Sequence, residues 1–323
     1  MQDTADGTVS LPARVVPAPA RISDPARAAL AAPRPLAGSW PDPGDKDAWR
    51  RLIAIRDAQN AAASSPFAAK LKSDVAGRTM AGVPVYVGIS QGERLLDTRH
   101  VVFDIHGGAL LFGGGEENVR FEAAAISLRT GRVTYALDYR VAPDHPYPAA
   151  LDDCLAVYKA LLRERAPSEI VVCGTSAGGN LAAALLLRAR DEGLPAPAGA
   201  VLLTPELDLT ESGDTFHTLM GLDIVLPQRL MPVNLVYADG ADLAHPYLSP
   251  LFGDVSGFPP TLIQAGIRDI FLSTAAVMHR KLRAAGVRAE LHVWEAMPHG
   301  GFGGLTPEDR EVNAEIQAFI ASL

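Results

Sequence analysis

A serine between two glycines is the strongest chemical signal in the sequence. Residues 174–178 read Gly-Thr-Ser-Ala-Gly, after the apolar run 170–173 and at the start of the helical stretch 178–192. A sharp turn from a buried strand into a helix raises the serine hydroxyl above the sheet. It needs glycine on both sides because a Cβ there would clash. The helix dipole then faces the negative charge that develops in the reaction. The pattern predicts that Ser176 is a nucleophile; the alternative is a glycine-rich turn without chemistry.

A second glycine-rich segment offers backbone donors. The sequence His-Gly-Gly-Ala at 106–109 follows the apolar run 101–105. Because this turn and the serine turn both follow parallel strands, they are expected at the same edge of the sheet. Their N–H groups would then stabilise the oxyanion formed on the substrate. The donors expected for this oxyanion hole are the N–H groups of Gly107, Gly108, Ala109 and Ala177.

A serine nucleophile needs a base, and the chain has eight histidines to supply it. His299 lies in the segment EAMPHGGF, directly after the apolar run 290–294. His106 belongs to the glycine-rich segment, and His145 lies in a turn. The other five have neither a glycine-rich nor a strand-end context. We therefore predict that His299 is the base; the alternative is an ordinary loop histidine.

Buried strands that alternate with helices would position these groups. Alternation of Val83, Val85, Val87 and Ile89 predicts a first, half-buried strand. Six short apolar runs predict further strands at 101–105, 133–137, 170–174, 200–204, 261–265 and 290–294. Helical stretches are expected near 117–130, 150–165, 178–192, 272–286 and 308–321. This alternation predicts one α/β domain over residues 1–323, with a mostly parallel central sheet and helices on both faces.

Two segments fall outside this rhythm. About fifty residues separate the strands that end at Thr204 and begin at Thr261, which is too long for a plain connection and predicts a helical insertion. Residues 1–45 are rich in proline and alanine, and proline prevents a continuous helix there. We expect cap elements over the active site from about 1–60 and 207–250. The alternatives are a flexible tail and an insertion that only packs onto the body.

Three motifs together resemble the hormone-sensitive-lipase-like branch of the α/β-hydrolases, in its bacterial form with a GTSAG elbow. They are HGGA (106–109), DYRVAPDHPYPAALDD (138–153) and GTSAGGNL (174–181). The resemblance runs from about residue 80 to the C-terminus. It implies the α/β-hydrolase fold, and one departure is that Ala109 stands where the family has a third glycine.

The resemblance also implies an acid between the serine and the histidine in chain order. Asp269 follows the strand predicted at 261–265 and matches the post-strand position of the family's acid. Asp208, after the preceding strand, is the second candidate. Either carboxylate would fix the histidine tautomer and stabilise the imidazolium.

The function that the resemblance implies is hydrolysis of short- to medium-chain carboxylic esters or lactones through an acyl-enzyme. An amide or carbamate substrate, or an alcohol acceptor in place of water, would use the same triad and stays open. A third hypothesis is a ligand-binding protein on an inactive scaffold, similar to the plant gibberellin receptors. Those lack the catalytic histidine, whereas His299 is present here, which favours an enzyme.

Composition and charge narrow the set of partners. The net charge is −8, which disfavours nucleic acid and anionic membrane surfaces as partners. No segment is apolar enough to span a bilayer, and the N-terminus lacks the pattern of a signal peptide, so a cytoplasmic protein is expected. Cys154 and Cys173 are expected to be buried free thiols. No metal-ligand spacing occurs, and no cofactor is expected. The expected partner is a small-molecule substrate; a homodimer is left open.

Overall fold

One sheet organises the part of the chain that the structure describes. The structure is a computed structural model that describes residues 8–9, 13, 15–32, 38–68, 71, 73–91 and 99–323. In the described residues, eight strands form the sheet in the order β1-β2-β4-β3-β5-β6-β7-β8. Their bounds are β1 (Ser73–Met80), β2 (Val83–Ser90), β3 (Val101–Ile105), β4 (Val133–Leu137), β5 (Ile170–Thr175), β6 (Gly199–Leu203), β7 (Thr261–Gly266) and β8 (Ala289–Trp294).

Helices fill the connections between these strands. Their bounds are α1 (Asp24–Ala31), α2 (Lys46–Ala68), α3 (Glu116–Thr130), α4 (Ala149–Leu161), α5 (Ala177–Asp191), α6 (Thr215–Thr218), α7 (Met231–Ala238), α8 (Leu272–Ala284) and α9 (Pro307–Ala321). All five helical stretches expected from the sequence after residue 110 are present. In α2, Asp45 accepts a hydrogen bond from the Ala48 N–H at 2.9 Å, as expected of a residue that caps the helix start.

Strand direction explains why the glycine-rich turns of the candidate site meet at one edge of the sheet. β2 is antiparallel to both β1 and β4, whereas β3 to β8 run parallel to one another. The carboxyl ends of β3, β5, β7 and β8 therefore lie on the same side of the sheet. The mostly parallel sheet predicted from the six apolar runs is confirmed, and those runs are β3 to β8.

The apolar runs are continuous because helices cover both faces of the sheet. On β5, Val172 joins the core on one face, while Val171 and Cys173 join the core on the other. All three side chains are fully buried. Cys154 and Cys173 are free, buried thiols, as expected. In the described part of the chain, no helix is both long and apolar enough to span a bilayer.

The proline-rich N-terminal segment is ordered where the structure describes it. Helix α1 packs against α9 and places Ala26 and Leu30 in the core on that face. Both the N–H and the hydroxyl of Ser23 donate to the Glu308 carboxylate, at 2.7 and 2.8 Å. A side-chain N–H of Arg268 donates to the carbonyl of Pro17 at 2.8 Å. This segment is therefore fixed to the body. Residues 1–7, 10–12, 14 and 33–37 of the expected cap lie outside the described residues.

Residues just before α2 contact the inserted segment. The indole N–H of Trp40 donates to the carbonyl of Arg229 at 3.1 Å. The Trp40 ring stacks on Trp49 and Phe112, with centroids 5.7 and 6.5 Å apart. The Arg56 guanidinium lies 4.7 Å from the Trp40 centroid. Phe112 lies just after the glycine-rich turn 106–109 that follows β3. The N-terminal segment therefore contacts the insertion beside this turn.

Candidate active site

The turn after β5 holds Ser176 in a strained conformation. Its φ is 60° and its ψ is −123°, a region that few residues other than glycine adopt. The Ser176 N–H donates to the carbonyl of Leu203 on the next strand at 2.8 Å, which fixes the turn. A Cβ on Gly174 would lie 2.2 Å from the Gly178 oxygen, and one on Gly178 would lie 1.9 Å from the Ile105 oxygen. Both glycines are thus required by close packing, as the sequence predicted.

The structure brings Ser176, His299 and Asp269 together. The Ser176 Oγ lies 2.8 Å from Nε2 of His299, and Nδ1 of His299 lies 3.2 Å from Oδ1 of Asp269. The same Asp269 oxygen accepts the Phe271 N–H at 2.9 Å, which orients the carboxylate. All three side chains are buried. A proton can therefore pass from the serine to an imidazole that a carboxylate holds in place.

Asp208, the second candidate for the acid, makes only local hydrogen bonds in the described structure. Its two carboxylate oxygens accept the N–H and hydroxyl groups of Thr210 and Ser212, at 2.5 to 3.0 Å. These four bonds close the turn after β6. Asp269 is thus the candidate that reaches the imidazole.

The glycine-rich turn after β3 presents backbone N–H groups next to the serine. A Cβ on Gly107 would lie 3.3 Å from the Ser176 Cβ, so the two turns are in contact. In the described part of the chain, no group accepts the N–H of Gly107, Gly108, Ala109 or Ala177. Ala109 has φ 51°, a left-handed conformation that costs alanine roughly 1 kcal/mol relative to glycine. Ala109 therefore adopts, at the position of the family's third glycine, a backbone conformation that favours glycine.

Stacked rings of His106 and Tyr139 support the turn after β3. The Tyr139 hydroxyl donates to the His106 carbonyl at 2.9 Å, and the two rings stack with centroids 4.1 Å apart. Burial lowers the pKa of the His106 imidazole, which keeps it neutral. Nδ1 of His106 lies 2.6 Å from the Gly107 carbonyl. His106 therefore supports the loop, and in the described structure it makes no hydrogen bond to the Ser176 hydroxyl, whose partner is His299.

Opposing effects set the pKa of the His299 imidazole. Burial lowers it, but the charge of Asp269 and its hydrogen bond raise it, helped by the charge of Asp223. The net shift is upward from the ordinary value of about 6.5. His299 is therefore mostly neutral, and able to act as a base, only at a pH higher than a free imidazole would require.

Two further buried carboxyl groups near His299 were not identified from the sequence. Burial raises the pKa of Asp223 to about 6, opposed by the positive charge of His299. Burial and the charge of Glu211 raise the pKa of Glu206 to about 8, so Glu206 holds its proton at neutral pH. Neither belongs to a motif that the sequence analysis singled out. The only signal was at Asp223, an acidic residue inside the apolar stretch LMGLDIVL at 219–226.

Metal ligands do not cluster in the described residues: no three His, Cys, Asp or Glu side chains lie close enough to hold an ion. The polar groups at the Ser176 turn are a hydroxyl, an imidazole, carboxyl groups and backbone N–H groups. That set suits nucleophilic attack on a carbonyl carbon, with the oxyanion held by the N–H groups.

Comparison with known proteins agrees with this geometry. Residues 102–302 match the family described as the alpha/beta hydrolase fold. The chain belongs to the α/β-hydrolase family. An esterase of Acinetobacter venetianus is 32% identical over 248 residues, which are 74% of this chain and 82% of that protein. An acetyl-hydrolase of Streptomyces hygroscopicus is 33% identical over 220 residues, 67% and 73% of the two chains.

Solved structures place this α/β-hydrolase within a narrower branch. The crystal structure of an esterase called E25 is 31% identical, with a TM-score of 0.89 and 98% coverage of both chains. An esterase from the bacterial hormone-sensitive lipase family is 28% identical, with a TM-score of 0.75 and coverage of 93% and 98%. The resemblance seen in the three sequence motifs is confirmed: this α/β-hydrolase belongs to the hormone-sensitive-lipase-like bacterial branch.

Proposed function

We propose that this α/β-hydrolase is a serine carboxylesterase that works through an acyl-enzyme. The observation that carries the proposal is the continuous contact from the Ser176 hydroxyl through His299 to Asp269, at 2.8 and 3.2 Å. The N–H groups of the turn after β3, which no group in the described residues accepts, lie beside the same serine. Esterase relatives and esterase structures support the same activity.

The first half-reaction transfers the acyl group to the enzyme. His299 takes the Ser176 proton at Nε2 while Oγ bonds to the ester carbonyl carbon. The carbonyl oxygen becomes an oxyanion, and we assign its stabilisation to the N–H groups of Gly107, Gly108, Ala109 and Ala177. Asp269 stabilises the imidazolium and keeps Nδ1 protonated. The tetrahedral intermediate then collapses: the ester C–O bond breaks, and the alcohol leaves with the proton from Nε2.

The second half-reaction regenerates the serine. His299 now takes a proton from a water molecule, whose oxygen attacks the acyl carbon of the ester on Ser176. The second tetrahedral intermediate collapses to the carboxylic acid product, and Oγ recovers the proton from His299. Since no redox change occurs, the cycle needs no electron carrier.

We also propose that residues 38–60 and 207–250 form the cap of a single domain. The support is the contact of Trp40 with the insertion at Arg229 and with Phe112 near the β3 turn. Apolar side chains of the insertion would cover the acyl group of the substrate. Short- to medium-chain esters or lactones fit such a covered site.

A substrate panel tests the proposed reaction. We expect hydrolysis of p-nitrophenyl acetate, butyrate and octanoate, weaker hydrolysis of the palmitate, and no hydrolysis of the matching anilides. Small lactones form a second arm that separates ester from lactone preference. Ser176→Ala should lower kcat by about 10⁴–10⁶ because it removes the nucleophile. Preferred cleavage of anilides, or ester hydrolysis that survives in Ser176→Ala, would overturn the proposal.

A further inference from the structure

A buried carboxylate of the insertion bonds directly to the backbone of the candidate base. Asp223 lies between α6 and α7 and is fully buried. Its Oδ2 accepts the main-chain N–H of His299 at 3.2 Å, across 76 positions of sequence. This contact is separate from the contact of Asp269 with the imidazole, because it fixes the backbone of His299 and not its ring.

The other oxygen of the same carboxylate fixes the insertion. Oδ1 of Asp223 accepts the N–H groups of Val225 and Leu226 at 2.8 and 3.2 Å. Three backbone donors from two distant segments thus converge on one buried side chain. Hydrogen bonds from N–H groups to a charged acceptor are stronger than those between neutral groups. The carboxylate is therefore a bridge between the insertion and the loop that carries His299.

The loop of His299 needs such a bridge. Gly300 and Gly301 follow directly and have φ of 75° and 98°, so this part of the loop gains little rigidity from its own residues. A displacement of about 1 Å in a catalytic group costs on the order of 10²-fold in rate. The hydrogen bond to the His299 N–H fixes the position of the backbone from which the side chain extends, while the bond to Asp269 fixes the orientation of the imidazole ring.

We propose that Asp223 is a positioning residue for His299 that makes the reactivity of Ser176 depend on the inserted segment. This inference rests on the proposed function, since a misplaced base matters only if His299 activates Ser176. It assigns the insertion a role in the rate of the chemical step, in addition to covering the substrate.

Charged groups around the imidazole allow the role to be read from pH dependence. His299 faces Asp269, Asp223 and Glu206, and Asp223 in turn faces His299 and Asp269. The charge of Asp223 raises the pKa of His299. Removal of that charge should therefore move the acidic limb of kcat/KM to lower pH. Loss of packing alone would not move this limb.

The variant test compares Asp223→Asn with Asp208→Asn. An amide cannot accept on both of its ends, so Asp223→Asn must break either the bond to His299 or the bonds within the insertion. We expect kcat to fall about 10- to 100-fold with little change in KM, and the acidic limb to move down. Asp208→Asn removes a buried carboxylate of the same insertion without touching His299, and should leave the limb in place. Equal kcat values in the two variants, with the acidic limb of kcat/KM at the same pH in both, would overturn the proposal.

A measurement on the unmodified protein keeps the proposal testable if the variant does not fold. In ¹⁵N-labelled enzyme, the amide protons of Val225 and His299 should both shift near the raised pKa of Asp223 at about 6, and the His299 amide should show a second step from its own imidazole. No step near pH 6 at either amide, or a step at only one of them, would contradict the bridge. This readout does not depend on ester hydrolysis. If the substrate panel fails, the proposed function fails, whereas common titration with unchanged kcat in Asp223→Asn rejects only the positioning role.

Discussion

At the scale of single residues, two acids follow neighbouring parallel strands, and only one of them contacts the imidazole of His299. Asp269 lies 3.2 Å from the imidazole of His299. Both carboxylate oxygens of Asp208 accept hydrogen bonds within the turn after β6. The position after a strand explains why both were candidates from the sequence. The local serine and threonine donors that satisfy Asp208 explain why it does not reach the site.

This difference gives a prediction for the two asparagine variants. Asp269→Asn should lower kcat by about 10⁴, because an amide favours the wrong tautomer of His299. Asp208→Asn should lower kcat far less at a temperature where both proteins are folded. Steady-state rates on p-nitrophenyl butyrate, with circular dichroism to confirm folding, decide between them. The opposite ranking would assign the acid to Asp208.

Some residues of the candidate site could be predicted from the sequence and others could not. Ser176 and the β3 turn were predicted because tight backbone packing demands glycine at fixed spacing. Asp223 and Glu206 were not, because their contacts with the His299 loop and the Ser176 turn involve backbone groups. Any residue type can supply a backbone N–H, so such contacts leave no pattern in the sequence. The buried carboxyl groups around His299 therefore needed the structure.

At the scale of elements, strands with two buried faces were predicted, whereas the exposed edge strand β1 was not. Strands β3 to β7 read as apolar runs because helices cover both their faces, whereas β8, at the opposite edge of the sheet, is only partly buried. In β1, only Met80 is buried, so its sequence carries no alternation. Ile89 of β2 is 41% exposed, although its spacing had placed it with the buried valines. Helix α1 was hidden in a proline-rich segment because it begins at Asp24-Pro25, where proline is compatible with the first turn.

Contacts of the N-terminal segment with the insertion give a prediction for the cap. Trp40→Ala removes two ring contacts and the hydrogen bond to Arg229. Because Trp40 is only partly buried, we expect the free energy of unfolding to fall by about 2 kcal/mol, less than for a core tryptophan. The ratio of kcat/KM for octanoate to butyrate should also change, by about fourfold for each substrate methylene that loses contact.

Val15→Ala is the matched control for this prediction. Val15 lies in the same N-terminal segment and is 93% exposed, so its truncation should change neither stability nor chain-length preference. Urea unfolding and the ester series measure both effects. If Trp40→Ala keeps the chain-length preference of the control, the N-terminal segment does not contribute to the cap.

At the scale of the whole molecule, buried acids link stability to pH. Glu206 has a pKa of about 8 in the folded protein and an ordinary value of 4.5. Between these values the unfolded chain releases the proton while the folded chain keeps it. The stability of the folded protein therefore falls as pH rises through this window, by at most about 1.4 kcal/mol for each pH unit. Above about pH 8 the loss is complete.

Glu206→Gln should remove this part of the pH dependence. The variant should melt several degrees above the unmodified protein at pH 8, and the difference should shrink toward pH 4.5. Because the other titrating groups are present in both proteins, the difference reports Glu206 together with its effect on neighbours such as Glu211 and His299. Thermal unfolding of both proteins across this range is the measurement. A difference in Tm that does not change with pH would show that Glu206 titrates normally.

The central claim is that Ser176 forms a covalent bond with the substrate's acyl group, and a mechanism-based label tests it most directly. An alkyl phosphonate ester that mimics the tetrahedral intermediate should react once per chain, abolish ester hydrolysis in proportion, and appear by peptide mass spectrometry on Ser176 alone. His299→Ala should slow the labelling, since the hydroxyl then lacks its base. A label on another residue, or a fully labelled protein that still hydrolyses esters, would contradict the account.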